Sequence, residues 1–220
     1  NGAASAIIAG IDSAHSATSE VSTFSFQGGI VRNNDGRGLT LYNAKDRDSV
    51  FQLVANAVTG NLGDSIAIGL EDDSVDTGKP TGLRAVVKDN VVDCDGNELG
   101  GGMCVTVETL GAVRAWVDIE NNQMTTYGFN GLPVLNVDSY RGRTGADGGF
   151  TTVRIGNNTI SNFAGFAFSD LISMSAGEGG PGSRKVSVLP FAKNTFDVPD
   201  PCSETARCGG CCAWWTIWRR

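Results

Sequence analysis

The chain is 220 residues long, enough to bury a substantial core within a single domain. Its formal net charge of −7, with no basic stripe to offset it, disfavours nucleic acid as a partner, and no apolar run approaches the roughly 20 residues that span a bilayer as a helix. Thirty glycines and only 19% charged residues, among many Val, Ile, Thr and Asn, favour strands joined by tight turns.

In chain order, residues 1–20 come first, rich in Ala and Ile and without strand alternation; they are expected to form an N-terminal cap with a short helix. From 21 to 198 an eight-residue pattern recurs: apolar, any, apolar, two of any kind, Asn, any, apolar. The first copy, Phe24, Phe26, Gly29, Val31, carries Gly in place of Asn. Phe51, Leu53, Asn56, Val58 and Ala85, Val87, Asn90, Val92 follow, then Val117, Ile119, Asn122, Met124. Val153, Ile155, Asn158, Ile160 and Leu189, Phe191, Asn194, Phe196 complete the series. Successive marker positions lie 27, 34, 32, 36 and 36 residues apart, so the local word is tight while the loops between copies vary.

Apolar residues two apart share one face of a strand, and the Asn falls where the chain must turn before the next inward residue. Asn tolerates the left-handed backbone region, and stacked Asn amides can hydrogen-bond from rung to rung as a ladder; Gly29 would relieve the same backbone strain by lacking Cβ. A second strand follows about ten residues later, at Leu39 and Leu41, Ile66 and Ile68, Leu132 and Val134, and Phe168. In the third copy it arrives late, at 104–107, after an insertion bracketed by Cys94 and Cys104, which a disulfide is expected to close.

These features predict an all-β solenoid of about six rungs, only about 30 Å long at the usual strand spacing, with ends that must be covered. Residues 199–220 hold Cys202, Cys208, Cys211, Cys212, Trp214, Trp215 and Trp218 and are expected to form a Cys/Trp-rich tail or cap. Six cysteines, an even number, fit disulfides and an extracellular or cell-surface location.

The Asn-marked words Ile-Gly-Asn-Asn-Thr-Ile (155–160) and Val-Lys-Asp-Asn-Val-Val (87–92) resemble the right-handed parallel β-helix superfamily that includes pectate lyases. The resemblance covers residues 21–198 and implies the fold, which in that superfamily carries polysaccharide lyases, glycoside hydrolases, esterases and adhesins. Its enzymes act on polysaccharides with carboxylates, Lys or Arg on the outer face of the sheets. Neither the Gly-His-Gly of polygalacturonases nor the Arg-x-Pro-x-x-Arg of pectate lyases occurs here, and the only histidine, His15, precedes the first rung.

Polar groups just past the second strand of each rung are expected to gather on one ledge: Lys45, Asp72, Asp73, Glu108, Asp138, Tyr140 and Arg141. Carboxylates on neighbouring rungs would perturb each other and serve as acid and base on a sugar. The acidic run containing Glu71, Asp72, Asp73 and Asp76 offers oxygen ligands for Ca²⁺. Gly63-Asp64-Ser65 is similar to the opening of an esterase motif, but no histidine follows it to activate Ser65. The functional expectation is a protein that binds or cleaves polysaccharide, the alternative a non-catalytic adhesin or scaffold, with an esterase as the outlier.

Overall fold

The computed structural model describes residues 7–12, 21–44, 48–72, 81–94, 102–127, 132–140, 150–162, 171–176, 185–189 and 193–197. Eighteen strands follow one another there without an intervening helix. They begin with β1 (Ile7–Asp12), β2 (Ser22–Gln27), β3 (Ile30–Arg32), β4 (Leu39–Ala44), β5 (Ser49–Val54) and β6 (Ala57–Asn61). Next come β7 (Ile66–Asp72), β8 (Thr81–Lys88), β9 (Val91–Cys94), β10 (Val105–Gly111), β11 (Val113–Glu120) and β12 (Gln123–Thr126). The last six are β13 (Leu135–Tyr140), β14 (Phe150–Gly156), β15 (Thr159–Asn162), β16 (Ile172–Ala176), β17 (Lys185–Val188) and β18 (Thr195–Asp197).

They assemble into three all-parallel sheets of six strands: β1-β4-β7-β10-β13-β16 (sheet A), β2-β5-β8-β11-β14-β17 (sheet B) and β3-β6-β9-β12-β15-β18 (sheet C). The chain visits A, B and C in turn and then returns beside its previous strand, which is the connectivity of a solenoid. Among the described residues no helix is long and apolar enough to cross a membrane.

The repeated word maps directly onto this winding. Its first two apolar positions point inward from sheet B, its last inward from sheet C, and the Asn stands at the corner between them. Register is strict: Leu53 faces Val87, Val87 faces Ile119 and Ile119 faces Ile155 across adjacent strands. All four are fully buried, each contributing roughly 1.5–3 kcal/mol of apolar transfer.

At the corner, the side-chain oxygen of Asn90 accepts the backbone N–H (2.9 Å) and the amide NH₂ (3.0 Å) of Asn56. Asn122 does the same for Asn90, Asn158 for Asn122 and Asn194 for Asn158. Each amide nitrogen also donates to a backbone carbonyl, Asn122 Nδ2 to Val87 O at 2.8 Å for example. The ladder thus satisfies buried backbone groups that the turn removes from the sheets.

Three local expectations are corrected. The left-handed residue is not the ladder Asn but the one before it: Ala55, Asp89, Asn121, Asn157 and Lys193 all have φ of 55–58°. Asn is therefore required at the corner for its side-chain amide and not for its backbone. At the first copy Gly28 takes the left-handed position (φ 63°), while a Cβ on Gly29 would come within 2.1 Å of the Phe26 ring. Gly29 accordingly leaves room for Phe26, and its N–H donates to Asn56 Oδ1 at 2.9 Å.

The strand after Met124 is expected to hold Leu132 and Val134; Val134 is buried as expected, but Leu132 is exposed and both residues precede the strand. β13 begins at Leu135, and Leu135 and Val137 continue the inward rows of Val105 and Val107. Pro133 lacks the N–H a central strand needs, which fits a start beyond it. Ile7–Asp12, expected within a helical cap, is a strand paired with β4, so this N-terminal segment joins sheet A. Cys94 and Cys104 form a buried disulfide with Cα atoms 4.8 Å apart. Phe168, Phe191, His15 and residues 199–220 lie outside the described residues.

Candidate functional site

Strands of sheet A alternate inward apolar residues with outward ones, so neighbouring strands align their outward side chains in rows. One row runs Tyr42, Gly69, Glu108, Asp138, Ser175. The row beside it runs Thr40, Ala67, Thr106, Asn136, Ser173. Glu108 and Asp138 therefore face one another from β10 and β13, on strands about 4.8 Å apart.

Their surroundings differ. Asp138 is 7% exposed; Ser175 Oγ donates to its Oδ1 at 2.5 Å and Asn136 Nδ2 to its Oδ2 at 2.6 Å. Two donors thus satisfy this carboxylate in a place with little water. Glu108 is exposed as a residue, yet its carboxyl group is partly desolvated. That burial is the main reason its pKa lies above the ordinary range, and the Asp138 carboxylate adds to the rise. Arg37 opposes the shift and Asp64 reinforces it. The result is a carboxyl group with a raised pKa beside a hydrogen-bonded carboxylate.

Arg37 and Asp64 come from the turns that enter β4 and β7. They pair through Nε and Oδ2 at 3.2 Å, and the Met103 N–H binds Asp64 Oδ1 at 3.0 Å. Thr106, two residues before Glu108 on the same face, is 4% exposed, and its hydroxyl has no hydrogen-bond partner among the described residues. A buried hydroxyl without a partner costs free energy on the order of 1–3 kcal/mol, which marks this face as unusual. On the other side of Glu108 lies an aromatic surface: Tyr42 is 38% exposed, and a Cβ on Gly69 would meet its ring at 2.9 Å. Gly69 thus lets the Tyr42 ring lie across the sheet toward Glu108.

Of the expected ledge residues, Glu108 and Asp138 are brought together. They sit within their strands and not beyond them. Asp72, Glu71 and Tyr140 fall at strand ends, where Glu71 and Tyr140 are both opposite Leu110 and Asp72 is opposite Gly111. Lys45, Asp73, Asp76 and Arg141 lie outside the described residues, and with them most of the acidic run considered for Ca²⁺. Among the described residues no three His, Cys, Asp or Glu side chains converge on a metal site. Ser65 is fully buried, and its hydroxyl donates to the Asp93 carbonyl at 2.8 Å, a structural role.

Sequence reasoning missed Tyr42, Gly69, Arg37, Asp64, Thr106, Asn136 and Ser175. The signal for most of them was available in the alternation of sheet A: once Leu39/Leu41 and Ile66/Ile68 point inward, Thr40, Tyr42 and Gly69 must point outward. Asn136 and Ser175 required the true start of β13 and the position of β16. Set against protein-family models, curated proteins and solved structures, the chain matches none of them.

Proposed function

We propose that the outer face of sheet A binds a polysaccharide and hydrolyses it, in a right-handed parallel β-helix protein that works outside the cell. The observation that carries this reading is the pairing of Glu108 with Asp138 in adjacent rungs and unlike environments. Glycoside hydrolysis needs one carboxylic acid to protonate the leaving oxygen and one carboxylate to stabilise, or attack, the positive sugar centre. Glu108, whose pKa is raised by burial and by its neighbour, fits the first role; Asp138, held by Asn136 and Ser175, fits the second.

Tyr42 supplies a ring on which a pyranose can stack beside the acid. A chain of net charge −7 favours a neutral polysaccharide over an acidic one as the substrate class. The superfamily and the extracellular setting rest on the Asn ladder, the three parallel sheets and the buried disulfide.

The test is release of reducing ends from a panel of neutral and acidic polysaccharides. Turnover of a neutral glycan is expected, with Glu108→Gln slowing it by about a hundredfold or more while circular dichroism stays unchanged. An inert wild-type protein, or full activity in Glu108→Gln, would refute the reading and leave the non-catalytic scaffold.

A further inference from the structure

The outward face of sheet B carries a second patch, unlike the first in charge and separate from it. Trp116 on β11 is 43% exposed although it stands in the middle of a sheet. In register beside it lie Arg84 on β8 and Thr152 on β14. Arg114 precedes it by two residues on the same face, opposite Phe150 of β14, which is 38% exposed. Two aromatic surfaces and two exposed guanidinium groups therefore adjoin.

The charges around Trp116 are not equivalent. Arg154 is occupied: its Nε lies 2.9 Å from Asp118 and 3.0 Å from Glu120, so it is shared between the two nearby acids on β11. Arg84 and Arg114 make no ion pair with any described residue. A chain of net charge −7 thus places two uncommitted cations on either side of an open indole.

We infer that this face is a binding surface for an acidic polysaccharide, whose sugar rings stack on Trp116 and Phe150 while Arg84 and Arg114 take its carboxylate or sulfate groups. An indole face offers a flat, polarisable surface to the C–H side of a pyranose. A guanidinium offers paired N–H donors that match a carboxylate or sulfate in a bidentate fork. Arg84 and Arg114 approach Trp116 from two directions, one across the sheet and one along the strand, so successive charged units of a chain could each meet one. A neutral glycan would leave both unsatisfied. This inference is independent of cleavage on sheet A, because Glu108 and Trp116 belong to different sheets.

The experiment is affinity electrophoresis of the full chain in gels containing polygalacturonate, dextran sulfate or uncharged dextran, with anionic phospholipid vesicles assayed in parallel by sedimentation. Retardation by at least one of the two polyanions and not by dextran is expected, weakening as salt is raised. Trp116→Ala and the pair Arg84→Gln/Arg114→Gln should each weaken binding at least tenfold, and Trp116→Phe less. The arginine pair guards against a Trp116→Ala protein that fails to fold. Absence of retardation, equal retardation by dextran, wild-type binding in the arginine variant, or sedimentation with vesicles through Trp116 would each overturn the inference.

Discussion

The corner between sheets B and C and the outer face of sheet A are built on the same register, yet they use it in opposite ways. At the corner five successive rungs place the same residue, Asn56, Asn90, Asn122, Asn158 and Asn194. The inner three, Asn90, Asn122 and Asn158, each accept two N–H groups on the side-chain oxygen and donate twice from the nitrogen. On sheet A the corresponding row changes at every rung, from Tyr42 through Gly69 and Glu108 to Asp138 and Ser175. Repetition satisfies backbone groups and stabilises the coil; departure from repetition gathers unlike groups where chemistry can occur. In a solenoid the rows that vary are therefore the places to look for a site.

That contrast can be broken first at the acid. Glu108→Gln should cost about a hundredfold or more in turnover, and the wild-type rate should fall as pH rises through the raised pKa of Glu108, since only the protonated form donates. Stability should move in the same direction. A raised folded-state pKa means that Glu108 favours the fold while protonated and loses that contribution as pH rises through its folded value. The variant, which never ionises, should then gain in melting temperature relative to wild type as pH increases and match it in acid. A gap that widens in acid would show that Glu108 is held as an anion.

At the corner the ranking reverses: Asn122→Ala should leave chemistry alone and lower unfolding free energy by about 3 kcal/mol, because it strands the Asn90 donors and Val87 O. Urea titration checks this, and a loss under 1 kcal/mol would mean that water replaces the amide. Removing the disulfide by Cys94→Ser/Cys104→Ser should cost about 2–3 kcal/mol, the loop-closure value for a short loop. The smallest effect is expected at the left-handed position, where Ala55→Gly relieves a strained Cβ but loosens the unfolded chain. A gain of about 0.5 kcal/mol or less should follow, and a clear loss in the same titration would show that the methyl group packs.

Much of the fold was legible because its signal is a residue with a distinctive side chain, replaced only by Gly29 at the first copy. Only Asn offers a short amide that donates and accepts at once, so its recurrence fixed the corner and, through it, the inward rows of sheets B and C. Sheet A was less legible. Its strands start after turns of unequal length, and an apolar residue such as Leu132 reads as core until Pro133 is given its weight. The helical expectation for residues 7–12 failed because a strand at the end of a stack needs no alternation strong enough to see.

The candidate site was harder to read, since its members are brought together by rung-to-rung register and not by spacing in the chain. Glu108 and Asp138 were singled out as carboxylates near strand ends; that they face one another depends on where β13 begins. Asn136 and Ser175 orient Asp138 from two different rungs, and no local motif announces either.

The ladder amides also share one direction. Every side-chain oxygen receives protons from the rung before it, and Gly29 opens the series by donating to Asn56. Aligned in this way the amide dipoles add, and the two ends of the described stack are unlike, one opening on the Gly29 N–H donated to Asn56 and the other closing on the Asn194 amide. Two such stacks could continue one another head to tail but not head to head, which gives the rod a built-in polarity, like that of a growing filament, before any loop or terminal segment is considered.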